Sequence, residues 1–367
     1  MSDDSVWVEI GDRVRESRIA AGLSQEQLAR RASSERSKIA KIEAGTRQIN
    51  AVELTKLATA LDMPLGHFLY PRPTVVSRRS PLDEDTTTVA ARESYRMEAT
   101  LAGWLRDVAD VRDVGELRIA ERLQYGEQVG TAEDARAAAQ WVRQRLGYGA
   151  EPIPTMMAAC QAAGQLVLVV DVPGDGASVI DGDVAVAVVS RVGDPGRRRA
   201  TAAHELGHMV LGDEYSSDLG GGVAAAKSDR EAVIDAFAAE FLLPADALRT
   251  VVGDNDLRAG LVTGSARYRT SWTLTLRQAL AGGLIEKRDL SRWRGAPKPT
   301  RAELMQAVGW APQPDLENVR VPPDYADAVL AAWRERKVTA RRAIELLHGQ
   351  LAIDDLAVID EEDVVDP

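Results

Sequence analysis

Residues Thr201 to Tyr215 read TAAHELGHMVLGDEY, and this stretch limits the fold more than any other. Histidine is scarce in the chain, four in 367 residues, yet His204 and His208 stand four apart with Glu205 directly after the first. On a helix turning about 100° per residue, the two rings fall within about 40° of each other on one face. Imidazoles so placed can ligate one metal ion, and a carboxylate between them can take a proton from a metal-bound water. The rest of the stretch is apolar (Ala202, Ala203, Leu206, Met209, Val210, Leu211), and Gly207 lets a neighbour approach closely. It predicts a buried helix on which a hydrolytic site is built, rather than an amphipathic helix that carries two imidazoles by accident.

A catalytic zinc needs a third protein ligand. His67 and His348 lie in remote helical segments and read as ordinary surface or boundary residues, so a carboxylate is required. The segment REAVIDAFAAEFLLP, residues 230–244, offers Glu231 and Asp235 on one helical face and Glu240 on the opposite one. Glu231 is the predicted ligand. Asp235 would hydrogen-bond a ligand histidine through the ring nitrogen not used for the metal. Asp213 and Glu214, in the loop after the first helix, are weaker alternatives. No residue declares itself as the oxyanion stabiliser; Tyr215, His67 and Tyr268 are candidates.

The strand signals are confined to one place. QLVLVVDV, from residue 165, is a continuous valine-rich run, and after a PGDGAS turn VIDGDVAVAVVS gives two more strands. They predict a small antiparallel sheet. VAVAVVS, residues 184–190, reads either as a sheet edge that an extended substrate adds to or as an interior strand. Elsewhere the pattern is helical: from Val89 to Leu123, from a Thr131 cap to a stop at Gly147, and through most of the chain beyond residue 251. PRPTVVSRRSPLDEDTTT, residues 71–88, reads as a linker, SSDLGGG as a flexible loop, and IDEEDVVDP as a solvated tail.

Hydrophobic residues at 45% and charged residues at 28% fit a globular protein. No apolar run approaches the roughly 20 residues that cross a bilayer. The acidic start MSDDSVWVEIGDR lacks an export signal, and the single Cys160, a small core residue, fits a reducing cytoplasm. The net charge of -11 argues against attraction of the whole protein to nucleic acid, though not against a local basic face.

Such a face exists near the N-terminus. Leu23, Leu28, Ala29, Ile39, Ile42, Leu54, Leu57, Ala58 and Leu61 can close one small helical core. Ser24 caps a helix with Gln27 completing a capping box, and Ser33 or Ser34 caps the next. Residues 30–47 carry six cations (Arg30, Arg31, Arg36, Lys38, Lys41, Arg47) against Glu35 and Glu43, a footprint suited to phosphates. GLSQEQLA, the spacing Ile39-x-x-Ile42-Glu43-x-Gly45 and LATALDMP resemble the Xre/lambda-repressor-like DNA-binding family over about 60 residues. The Ala32-Ser33 turn departs from it, since the family often has glycine and an apolar residue there. The resemblance implies a helix from Ser34 to Glu43 in the major groove, with Arg36, Ser37 and Lys41 at base edges and Gln25 and Lys38 on phosphates. It implies double-stranded operator DNA as partner. A homodimer is the expectation, because such units usually read paired half-sites. The amphipathic YADAVLAAWRERKVTARRAIELLHGQL is the segment that would mediate it. A helical protein-protein module is the competing reading.

RRATAAHELGHMVLG followed by EAVIDAFAAEFLLP is similar to the ImmA/IrrE family of zinc peptidases over roughly residues 130–250. In that family the third ligand falls on Glu231, while Asp235 stands where asparagine is usual. The resemblance implies one zinc per chain on His204, His208 and Glu231, with Glu205 as base. It also implies a narrow-specificity protease that cuts a repressor in stress responses or mobile elements. Fused to a DNA-binding unit, it would cleave a repressor, an antitoxin or itself; the alternative is a transcription factor whose zinc domain senses a ligand or partner and cuts nothing. The expected fold is mainly α and multidomain. It comprises an all-α helix-turn-helix domain (1–72), a linker and helical connector (73–129), a central α+β zincin-like domain (130–250) and a helical C-terminal region (251–367).

Overall fold

The computed structural model describes residues 3–70, 88–114, 117–212, 223–254, 256–310 and 312–356. The predicted linker up to residue 87, the SSDLGGG loop, Asp213, Glu214, Tyr215 and the acidic tail lie outside the described residues. Five helices come first: α1 (Asp3–Ala20), α2 (Gln25–Arg31), α3 (Arg36–Glu43), α4 (Ala51–Leu61) and α5 (Leu65–Leu69). Their buried faces meet in one core built on Val14, Leu28, Ile39, Ile42, Leu57, Leu61 and Phe68. Ser24 caps α2 and makes both bonds of the capping box with Gln27. The expected cap of α3 is corrected: Glu35 holds the N-cap position and makes no side-chain cap bond. Ser33 is taken up by the turn itself, at a left-handed φ of 51°.

Helix α6 (Val89–Val114) is longer than any of these and belongs to two cores. Tyr95 and Ala99 close the helix-turn-helix core, while Met97, Leu101, Trp104, Leu105, Val108 and Val111 enter a second one. His67, expected at a surface or boundary, is instead buried at this junction, its Nε2 2.9 Å from the Tyr95 hydroxyl and 3.3 Å from Ser17 Oγ. The expected helix up to Leu123 ends earlier, at Val114. Residues 117–130 run without regular structure, because Leu123 and Tyr125 spend their N–H groups on Ala163 and Val210 of other segments.

Next come α7 (Ala132–Arg145), α8 (Met156–Ala162), β1 (Gln165–Val170), β2 (Gly176–Asp181), β3 (Val184–Ser190), α9 (Pro195–Val210) and α10 (Val223–Leu242). The sheet is small, as expected, but mixed rather than antiparallel. Its order is β1-β3-β2, with β3 parallel to β1 and antiparallel to β2. The chain crosses from β1 to the far edge, forms a hairpin through Gly182 at a φ of 58°, and returns between the two. Strands buried on both faces read as continuous valine runs whatever their direction, so the sequence pattern did not fix it. The side chains alternate as a pleat demands. Val167, Val169, Ala185, Ala187 and Val189 face a core with α7 to α10, and Leu166, Leu168, Val170, Val186 and Val188 face the core with α6. Three layers result, helices over both faces of the sheet.

The C-terminal third supplies α11 (Ala245–Val252), α12 (Leu257–Tyr268), α13 (Trp272–Ala281), α14 (Leu290–Gly295), α15 (Arg301–Val308), α16 (Pro323–Arg334) and α17 (Ala340–Leu346). The amphipathic stripe expected to serve dimerisation is spent within the chain. Tyr325, Ala328, Val329, Ala343 and Leu346 lie in the α6 core beside Trp104, whose indole N–H donates to the Leu166 carbonyl at 3.0 Å. Among the described residues no helix is long and apolar enough to cross a membrane.

Candidate metal centre and nucleic-acid interface

Asp194 starts α9, accepting the N–H groups of Gly196 and Arg197 while Pro195 fills the first helical position. Its apolar face, Ala202, Ala203, Leu206, Met209 and Val210, is buried. Helix α10 crosses it at Gly207, where a side chain would meet Phe237 Cδ1 at 2.9 Å and Ile234 Cγ2 at 3.1 Å. That close crossing brings the first turns of the described α10 side chains over the histidines. His204 Nε2 and His208 Nε2 are 3.1 Å apart, and Glu231 Oε2 is 3.1 Å from the first and 3.8 Å from the second. Among the described residues these three form the one group able to hold a metal ion, their ligand atoms all within 4.8 Å of one another. Four ligands around zinc at about 2.1 Å would stand about 3.4 Å apart, so the donor set fits that ion.

Behind the ligands, Asp235 Oδ1 lies 3.1 Å from His204 Nδ1, and its other oxygen accepts from Arg277 at 3.1 Å. Burial pulls the His204 pKa down, but the hydrogen bonds to Asp235 and Glu231 and the nearby charge of Glu205 outweigh it and push it up to about 10. The bond to His204 holds Asp235 below the usual carboxylate range against its own partial burial, and Arg277 adds to the effect. Glu205 is buried on the side of the sheet, where its Oε2 accepts a 2.6 Å hydrogen bond from Ser178 Oγ on β2. Gln165 on β1 donates to the Glu205 backbone carbonyl.

Glu240, set aside as a ligand, and two of the oxyanion candidates, Tyr268 and His67, have other partners. Glu240 is buried on the far side of α10, accepting from Gln140 and Gln278 and capping Ala245. Tyr268 donates to the Ala150 carbonyl, and His67 bonds the Tyr95 hydroxyl of α6. Of the two readings open for residues 184–190, the interior strand is the one found: β3 is central, and the edge beside the site is β2. Ser178 and Arg277 went unnoticed in the sequence. They stand 27 and 42 residues from their partners, at separations that no helical spacing signals.

In the N-terminal unit, Arg18 and Glu43 form a buried bidentate pair at 2.6 and 2.9 Å, and Gln25 donates to the same carboxylate at 2.9 Å. This ties α1 and α2 to the end of α3. Arg36, Ser37 and Lys41 are exposed along α3, whereas Lys38 and Gln25 are half-buried. Lys38 pairs with Glu35 at 2.9 Å, and its hydrogen bond, then its charge, lower the Glu35 pKa. Arg47 pairs with Glu53 at 2.7 Å. Arg30, Arg31, Arg36 and Lys41 face solvent.

A helix-turn-helix unit ahead of a helix-borne His, His and Glu cluster defines a DNA-binding regulator that carries a metallopeptidase-like domain. Comparison with known families agrees in both parts: residues 9–67 match the helix-turn-helix domain, and residues 184–271 match the peptidase family described as IrrE N-terminal-like domain. No curated protein matches the chain.

Proposed function

We propose that the chain is a transcriptional regulator whose central domain is a zinc endopeptidase of narrow specificity, cutting a partner repressor, an antitoxin or the chain itself. One observation carries this reading: a buried carboxylate, Glu205, stands between two histidines that converge with Glu231, and a purely structural metal site has no use for it. His204, His208 and Glu231 would hold one zinc ion, which when bound acidifies a water and polarises the scissile carbonyl. The chain's own residues do the rest. Glu205 takes the proton of the attacking water and passes it to the leaving amine. Asp235 orients the His204 ring from behind. The outer edge of β2, next to Glu205 and unpaired among the described residues, offers backbone groups on which a substrate can lie extended.

The same proposal divides the chain as the sequence suggests, into a DNA-binding unit (1–72), connector (73–129), peptidase domain (130–250) and helical C-terminal region (251–367), acting in the cytoplasm. Arg36, Ser37 and Lys41 would read bases and Gln25 and Lys38 hold phosphates, with two copies on paired half-sites. A mass measurement that finds only monomer, with and without operator DNA, removes the dimer.

A second reading has its own support. Helix α6 contributes to both the helix-turn-helix core and the sheet core, a direct mechanical link from zinc domain to DNA reader. In that case the zinc domain senses and does not cut. One experiment separates the two: compare new protein N-termini in host cells expressing wild type or Glu205→Gln. A cleavage made only by wild type establishes the peptidase and names its substrate. Matching profiles under several stresses, with zinc bound in both proteins, favour the sensor.

A further inference from the structure

Strand β2 does more at the centre than form an edge. Its hydrogen-bonding ladder to β3 is complete without side chains, pairing Ser178 with Ala187. The Ser178 side chain points to the α9 face, and its hydroxyl reaches Glu205 Oε2 at 2.6 Å, a length typical of a charge-assisted bond. Two residues earlier the strand comes down on the same carboxylate. A Cβ at Gly176 would sit 3.3 Å from Glu205 Oε1, 2.5 Å from Thr201 Cγ2 and 2.9 Å from the Val188 carbonyl, so only glycine lets β2 lie this close. The carboxylate is thus held through Oε2, which leaves Oε1 with both its lone pairs to accept a proton.

We propose that Ser178 is the positioning residue for Glu205, holding Oε2 so that Oε1 is the atom that handles the proton. This rests on the peptidase reading. In the step it serves, the water oxygen bonds to the scissile carbonyl carbon and its proton goes to Glu205 Oε1. As the C–N bond breaks, that proton passes from Oε1 to the amine nitrogen. Ser178 keeps its own proton throughout. Because it stands on the strand that would carry substrate, the same residue links substrate docking to the alignment of the base.

The test uses the full chain loaded with cobalt(II) in place of zinc, in wild type, Ser178→Ala and Ser178→Thr. Acetohydroxamate is the probe, since its hydroxyl shares a proton with the base when it binds a metal of this kind, and the cobalt absorption spectrum reports binding. Ser178→Ala should bind cobalt as tightly as wild type but acetohydroxamate about tenfold more weakly, the loss of one hydrogen bond to a charged group. Ser178→Thr, which keeps the hydroxyl, should restore it. On a synthetic peptide spanning the first cleavage found in cells, kcat should fall about tenfold in Ser178→Ala with KM unchanged. Equal acetohydroxamate affinity in all three proteins overturns the proposal, as does a loss of cobalt affinity in Ser178→Ala, which would mark a structural role. Absence of cleavage by wild type, with the acetohydroxamate response intact, overturns the peptidase reading alone.

Discussion

Asp235 bonds His204 with one carboxylate oxygen and Arg277 with the other, so the ring that would face the metal is held from α10 and α13 together. A histidine ligand fixed in this way keeps its tautomer and orientation, and loss of the partner commonly costs 10- to 100-fold in metal affinity, on the order of 1.4 to 2.7 kcal/mol. Asp235→Ala should therefore weaken zinc binding by about that factor, while Asp235→Asn, which retains an acceptor oxygen, should lose less. Competition against a chromogenic chelator measures both, and an Asp235→Ala protein with wild-type affinity would show the bond to be incidental. His204, Glu205 and His208 were legible as candidates because one helix places them by arithmetic, and Glu231 and Asp235 because a third ligand was needed and a second helical motif offered a carboxylate pair on one face. Ser178 and Arg277 were not, because each meets its partner across a tertiary contact.

At the scale of elements, the site depends on how closely α9 and α10 pass. Gly207 sets that distance, with Phe237 and Ile234 packed where its side chain would be. Overfilling a packed contact of this kind costs about 1–3 kcal/mol. Gly207→Val should lower stability by that amount in denaturant unfolding and also weaken zinc binding, since Glu231 and Asp235 ride on the helix pushed away. Loss of stability with no change in zinc affinity would mean the ligands adjust independently of the crossing. The sequence showed Gly207 as a point of close packing, and it showed both helices. It did not show which strand lies beside them. The valine runs of β1 and β3 fill both faces of the sheet, so neither direction nor position is encoded in their pattern, and the one strand with half-buried residues, β2, carries the least strand-like sequence, GASVID. Helix α6 was expected as a helix, but its place in two cores was not legible. It was assigned to a connector, its apolar residues standing among many charges, yet Trp104 and Val108 are fully buried against the sheet.

Over the whole molecule, the charge is distributed against its proposed use. The chain carries a net charge of -11, but Arg30, Arg31, Arg36 and Lys41 stand exposed on or beside α3. The surrounding negative field repels DNA, and the local cations release counterions from it, so binding should be strong only where the recognition helix fits and should fall steeply with salt. On B-form DNA each phosphate contact contributes about -0.9 to the slope of log K against log salt. Lys38→Gln, which removes a cation expected on a phosphate, should make the slope shallower by about one and weaken all sequences nearly equally. Arg36→Gln, expected at a base edge, should instead lower the preference for the operator over random duplex by about 1–3 kcal/mol. Titrations of fluorescent duplexes at several salt concentrations read both quantities. If neither substitution alters slope or preference, α3 does not lie in the groove, and the basic face serves a protein contact.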